Sequence, residues 1–353
     1  MASELVLLTG ATGLIGFRVL VFCLRKGYRV RVALRTLDKK ARILNAPSVR
    51  DLGSETNLTF VEIPDISIPG AFDEALQDVD YVIHVAAPIV STVPSSIGAD
   101  LARHYFKATT DAALHLLSSA KAHHTVKRII LTNSLAALFD YATDTDETIH
   151  TESTRATNIQ QPPYSSPFEA YTAAKVSTLN LTEQWVESEK PSFDLVHIAP
   201  GHVFGPNELV TDPEELLQTG TNRIILLPVT GRAYPMEAGV TAHLDDVAEA
   251  HIRALNPAIP GNRLYILSSG GVAGIKLDDC FEIVARNFPE HVGSTLPNNG
   301  SLPSYVFKVD AGESARILGI NFIPYEQQVR DVVGYYLECV QHVQQQRSST
   351  TSD

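Results

Sequence analysis

The sequence predicts a doubly wound α/β fold, in which helices cover both faces of a mostly parallel sheet. Three observations lead there. Short, β-branched apolar runs alternate with longer helical patterns through the first two hundred residues. Several of those runs are apolar throughout, as strands buried on both faces must be. A glycine-rich turn separates the first run from the first helical pattern.

The strands are taken in order. "ELVLLT" (4–9), "YRVRVAL" (28–34), "LTFVEI" (58–63), "VDYVIHVA" (79–86), "VKRIILT" (126–132) and "FDLVHIAP" (193–200) read as six strands, with helices over roughly 13–26, 100–122 and 168–189 between them. Beyond "VFGP" (203–206) the alternation breaks down. Residues 207–239 are rich in turn formers, "VTAHLDDVAEAHIRAL" (240–255) restores one helix, and from about 257 onward Pro and Gly punctuate short elements. The expected division is a first domain over 1–205, with 240–256 returning to it, and a smaller C-terminal domain from 206–239 and 257–342. The polar end 343–353 is expected to be a disordered tail.

Composition narrows the classes. With 353 residues, 44% hydrophobic and 19% charged, the chain can bury a sizeable core. The formal net charge of -12 is spread without a basic run or arginine and aromatic interleaving, which argues against nucleic acid and anionic membranes as partners. Cys23, Cys280 and Cys339 stand far apart, as free thiols of a reducing compartment would. No apolar run reaches the roughly 18 residues of a membrane span, and "MASELVLLTG" lacks a leader pattern, so the expected location is cytoplasmic.

"LVLLTGATGLIGF" places Gly10, Gly13 and Gly16 between the first strand and the first helix. Glycines there permit the tight turn, the approach of the backbone to a pyrophosphate, and close helix-to-strand packing, while the helix N-terminus favours negative charge. A Rossmann-type dinucleotide site is therefore predicted. The second strand ends in Arg35, followed by Lys39 and Lys40, where an NAD site would carry an acid. Cations at that place can pair with the extra phosphate of NADP, so the predicted cofactor is NADPH/NADP+.

"EAYTAAK" (169–175) puts Tyr171 and Lys175 four apart on one helical face, so that a phenol and an ammonium reach the same spot. The fifth strand ends in "ILTNSLAAL", which supplies Thr132 and Ser134 at the same edge of the sheet.

With these motifs in order, and with "PDI" (64–66), "HVAAP" (84–88), "PGHVFGP" and "HLDDVAEAH", the chain resembles the extended short-chain dehydrogenase/reductase family, the NAD-dependent epimerase/dehydratase type. It is most similar to the branch of dihydroflavonol reductases, cinnamoyl-CoA reductases and yeast-type aldehyde and ketone reductases, over roughly residues 4–255. The resemblance implies Tyr171 as general acid, Lys175 as its activator and ligand of the nicotinamide ribose, and Ser134 as the hydroxyl that polarises the carbonyl. An adjacent ammonium is expected to draw the phenol's pKa down from about 10. It also implies that the "TGATGLIG" stretch, with Thr9, Gly10, Thr12, Gly13, Leu14, Ile15 and Gly16, holds the pyrophosphate. Asp65 and Ile66 would meet the adenine, Ala86, Ala87 and Pro88 the nicotinamide ribose, and Pro200 and Val203 the nicotinamide. Three positions depart from the family pattern: "TNS" replaces "TSS", Thr110 and Asp111 replace the common Asn and Gly, and Asn207 follows "VFGP".

His84 reads as a core histidine, and His243, Asp245 and Asp246 as a helix-start cluster, so no metal is expected. The function expected is reduction of an aldehyde or ketone to the alcohol. The pocket segments "PIVSTVPSS" (88–96) and part of 202–239 suit an apolar or aromatic carbonyl compound. A nucleotide-sugar epimerase or dehydratase with bound NAD, a 3β-hydroxysteroid dehydrogenase-like activity and a non-catalytic dinucleotide sensor are the alternatives. The expected partner is a small-molecule carbonyl substrate, with the protein a monomer or homodimer.

Overall fold

The structure is a computed structural model that describes residues 4–53, 55–89, 100–140, 142–145 and 147–350. The dinucleotide-type half runs β1 (Leu5–Thr9), α1 (Leu14–Arg25), β2 (Arg29–Leu34), α2 (Lys40–Leu44), α3 (Pro47–Asp51), β3 (Leu58–Glu62), β4 (Tyr81–His84), α4 (Leu101–Phe106), α5 (Ala112–Ala122), β5 (Arg128–Thr132), α6 (Pro167–Glu189) and β6 (Asp194–Pro200). There follow β7 (His202–Phe204), α7 (Pro213–Gln218), α8 (Arg223–Val229), β8 (Glu237–Ala238), β9 (Thr241–His243), α9 (Leu244–Ala254), β10 (Arg263–Leu267), α10 (Cys280–Asn287), β11 (Ser304–Tyr305), α11 (Gly312–Leu318) and α12 (Tyr325–Thr350).

Among the described residues a seven-stranded parallel sheet has the order β10-β6-β5-β4-β1-β2-β3. The six strands read from the sequence are β1 to β6, each within two residues of its expected ends. Strand geometry sends successive side chains to opposite faces. Val6 and Leu8 of β1 accordingly join α1 and α9 in one apolar layer, while Leu5 and Leu7 join α5, Phe72 and Phe193 in the other. Arg128 ties sheet to helix: its guanidinium pairs with Asp194 at 2.7 Å and donates to the carbonyls of Ala254 and Asn256 beyond the end of α9.

The structure corrects four expectations. Residues 257–342 do not all leave the first unit, because β10 hydrogen-bonds in parallel to β6 and so covers a strand edge that would otherwise be open. Residues 241–243 form β9, paired with β7, so the helix in 240–255 starts only at Leu244. The 100–122 helix contains a π turn over Lys107–Asp111. The polar end is helical through Thr350, since α12 is docked by Val329, Val332, Val333 and Tyr336 and its Gln-rich continuation adds residues to a helix already nucleated.

The second apolar cluster gathers α7, α8, α10 and α12 around Ile225, Val229, Val284 and Val333. Segment 207–218 is strapped to the first half by charge. Glu208 accepts from the Ser48 amide and hydroxyl and faces Arg18, and Arg42 donates to the Leu209 carbonyl.

Candidate active site

A cavity of about 1280 Å³ opens along the carboxyl ends of the strands. Thr9, Gly10, Thr12, Gly13, Leu14, Ile15 and Gly16 line it, together with Arg35, Lys39, Asp65, Ile66, Ala86, Ala87, Pro88, Ser134, Tyr171, Pro200 and Val203. Of the site residues read from the sequence, Thr132 and Lys175 do not, nor does Lys40, whose ammonium lies over the Phe60 ring. Residues 90–96 of the expected pocket segment lie outside the described residues.

The glycine turn is held by close approach of backbone to backbone. Gly10 has φ +77°, and a Cβ there would lie 2.7 Å from the Ala86 nitrogen. A Cβ on Gly16 would lie 2.1 Å from the Gly10 oxygen. Gly13 differs, for a Cβ there meets only the Gly10 oxygen, at 3.5 Å. Nothing in the protein itself requires glycine at 13, while a ligand approaching from the cavity would. Gly13 caps α1 without any side-chain hydrogen bond, and the first turn carries no acid, so its amides are available to an anion. The Arg35 and Lys39 side chains are exposed after β2, and neither is in an ion pair or side-chain hydrogen bond with a described residue. This donor set fits a pyrophosphate and a further phosphate. Asp65 spends one oxygen on the amide and hydroxyl of Ser67, which hold its carboxyl below the usual range.

Ser166 caps α6 through the Glu169 amide and Pro167 fills its first position, so the helix starts where Tyr171 and Lys175 fall on the sheet side. Lys175 is 4% exposed. Its Nζ donates to the Thr132 carbonyl at 3.2 Å and lies 5.8 Å from the centroid of the Tyr171 ring. Burial lowers its pKa to about 8. Burial also pushes the Tyr171 phenol up, and a hydrogen bond with the Ser134 hydroxyl pulls the other way. The expected downward shift of the phenol is thus reversed here, because burial of the phenol outweighs the pull of the Ser134 hydrogen bond. Ser134 Oγ accepts from the Ala136 amide at 3.2 Å, and Asn133, the departure in "TNS", holds the Ser134 amide at 2.9 Å.

Thr132 has another partner. His251 Nδ1 bonds the Val247 carbonyl at 2.7 Å, which leaves Nε2 to accept from the Thr132 hydroxyl at 2.8 Å. Only the carbonyl of Thr132 serves the site. Thr110 sits in the π turn and bonds the Ala174 carbonyl at 3.3 Å and the Thr178 hydroxyl at 2.9 Å. His84 is buried, bonded to Thr9 and lowered to about 4, chiefly by burial. The 243–246 cluster is spent on structure: His243 caps α9 and meets Asp331, Asp245 grips Arg18, and Asp246 accepts from the Ile323 amide.

Sequence reasoning missed His202, Arg223, Tyr234 and Glu237, which line the other end of the cavity. They lie within the segment 202–239 that was singled out, but no local motif marks them.

Fold and cavity together define a dinucleotide-binding α/β protein. The sequence model of the NAD dependent epimerase/dehydratase family matches residues 6–267, and the chain belongs to that family. It is 37% identical to ketoreductase CTB6 of Cercospora beticola over the whole of both chains. It is 35% identical to the NAD-dependent epimerase/dehydratase ALT6 of Alternaria alternata, over 93% of this chain and 96% of that one. Among solved structures, the yeast methylglyoxal/isovaleraldehyde reductase Gre2 complexed with NADPH has the same fold, with a TM-score of 0.78 at 22% identity over 95% of this chain and 98% of that one.

Two predictions come from this geometry. Gly16→Ala should cost about 1–3 kcal/mol of stability through backbone collision. Gly13→Ala should leave urea unfolding nearly unchanged but weaken dinucleotide binding; equal effects of the two on both readouts would contradict the assignment. Lys175 has a folded pKa below its ordinary 10.5, so the unfolded chain binds the extra proton between about pH 8 and 10.5 and stability rises with pH across that window. Lys175→Met should therefore stabilise the cofactor-free protein by about 1–3 kcal/mol at pH 7, with a smaller gain at pH 9.5. A gain independent of pH in urea titrations would count against it.

Proposed function

We propose that this protein is an NADPH-dependent reductase that converts an aldehyde or ketone to the alcohol, with Ser134, Tyr171 and Lys175 handling the proton. One observation carries the reading: a phenol and a hydroxyl, backed by a buried ammonium 5.8 Å from the phenol ring, line a cavity that also holds an uncapped glycine turn and two cations. The name of the full-length Cercospora relative supports carbonyl reduction, and the NADPH of the yeast structure supports the cofactor.

In this reading the amides of 10–16 hold the pyrophosphate, and Arg35 and Lys39 the additional phosphate. Asp65 and Ile66 take the adenine, Ala86, Ala87, Pro88 and Lys175 the ribose at the other end, and Pro200 and Val203 the nicotinamide. The bound cofactor supplies a hydride to the carbonyl carbon. Ser134 donates a hydrogen bond to the carbonyl oxygen as negative charge grows there. Tyr171 gives that oxygen its proton. A raised pKa suits this direction: the phenol stays protonated through the neutral range, and an alkoxide is basic enough to take its proton. The phenolate left behind lies beside the Lys175 ammonium, which stabilises it. Asn133 fixes Ser134 by its backbone, so the exchange of Ser for Asn at 133 leaves the hydroxyl that matters in place.

Tyr171→Phe should lower kcat by about 10²–10⁴-fold while NADPH still binds, read by nicotinamide absorbance with a panel of aldehydes, diketones and aryl ketones and by a binding titration. Substantial residual turnover would reject Tyr171 as the acid. Arg35→Ser should reduce the preference for NADPH over NADH by about tenfold or more, from loss of a charge-assisted hydrogen bond; comparable kcat/KM for both cofactors in the unsubstituted protein would reject the phosphate assignment.

A further inference from the structure

We infer that the substrate end of the cavity contains an anion subsite, with Arg223 as its cation, which takes a carbonyl compound bearing an ionised oxygen group, carboxylate or phenolate, on an aromatic body. This rests on the reductase reading and adds the charge and shape of the substrate to it.

Arg223 is positioned firmly. Thr221 donates to the Val203 carbonyl, and Asn222 clamps Gly205 from both sides, through Nδ2 to its carbonyl at 2.7 Å and through Oδ1 from its amide at 3.3 Å. The start of α8 is thereby pinned to β7, the strand that carries Val203. The Arg223 guanidinium lies over the Tyr234 ring, 5.5 Å from its centroid. Its Nε is buried without a hydrogen-bond partner, and Nη1 reaches only the Gln218 carbonyl at 3.5 Å. Among the described residues no carboxylate lies within ion-pair distance of it.

The nearby acid, Glu237, is not within ion-pair distance of it. Burial pushes Glu237 up to about 7, against the pull of Arg223. His202, whose Nε2 is 3.5 Å from Glu237 Oε2, is lowered to about 4 by burial and is neutral. Arg223 is half-buried, its Nε is shut away from water without a partner, and a ligand anion is the group that would satisfy it. The planar fork of Arg suits a carboxylate or phenolate oxygen. Such an anion would also favour the protonated form of Glu237, which can then donate to it.

The rest of the lining describes the ligand's body. Phe139, Phe168, Tyr305 and Phe307 line the same cavity. Phe168 and Tyr305 remain 47% and 44% exposed, apolar surface that a flat ring would cover.

The test compares meta-acetylbenzoate with its methyl ester, and para-hydroxyacetophenone with its methyl ether. Binding is titrated on Tyr171→Phe loaded with NADPH, and kcat/KM is measured on the unsubstituted enzyme. The titration needs no turnover, so failure of the reductase reading and failure of the subsite are separable. At least one acidic probe should bind about tenfold or more tightly than its neutral partner, and which one does so distinguishes carboxylate from phenolate. Arg223→Met should bring that ratio close to one, and Arg223→Lys should keep part of it. NADPH titration shows whether each variant is folded; if Arg223→Met is not, Arg223→Lys decides the residue. Equal binding of both members of each pair, or a preference that survives loss of Arg223, would overturn the proposal.

Discussion

The Lys175 ammonium is buried against the end of β5, and the site is organised by what that burial demands. Removing a charge from water costs several kcal/mol unless other groups replace the lost solvation. The replacements here are the Thr132 carbonyl at 3.2 Å and the face of the Tyr171 ring. Both depend on the position of α6 against the sheet, and α6 is held from its other side. The Thr110 hydroxyl in the π turn bonds Ala174 and Thr178, one residue before and three after Lys175. A π turn widens the helix locally and is often found at functional positions. In this protein it brings a short threonine within reach of the neighbouring backbone. The partial loss of charge, to a pKa of about 8, is the stability cost of keeping an amine next to the phenol.

A second constraint sets where the glycine turn lies. The Thr9 hydroxyl accepts hydrogen bonds from the amides of Val85 and Ala86, each at 3.1 Å. Its proton therefore goes to His84 Nδ1, 3.0 Å away, and the buried ring carries its own hydrogen on Nε2. This one side chain joins the ends of β1 and β4 at the point where the strand order reverses. Gly10 follows immediately, with no room for a Cβ against Ala86. The packing of the sheet and the shape of the phosphate turn are thus one requirement, which explains why "TGATG" and "HVAAP" occur as a pair.

That pairing is also why so much was legible in the sequence. Local rules act on the six apolar runs, the glycine spacing, the cation after β2 and the i, i+4 pair, and each of these lies where local rules put it. What sequence could not show depended on distant partners. β10 is a five-residue run indistinguishable from its neighbours until the edge of β6 is available. Thr132 looked like a site residue from its place on the strand, and only the position of His251, 119 residues away, shows its hydroxyl to be engaged. The pKa of Tyr171 was misjudged in sign for a similar reason. Spacing gives the neighbour but not the depth of burial, and at this depth desolvation is the largest influence on the phenol.

The same dependence on distant contacts couples the two ends of the cavity. The strap 207–218 contributes Asn207, Val210 and Glu215 to the lining, yet it is fastened to Ser48, Arg18 and Arg42 around the end that carries Arg35. Arg42 lines the cavity too, and its bond to the Leu209 carbonyl crosses from one half of the molecule to the other. Ion pairs at the rim contribute little each in water. Their value here is geometric, because Glu208 and Arg42 hold in place the strap that supplies Asn207, Val210 and Glu215 to the cavity wall.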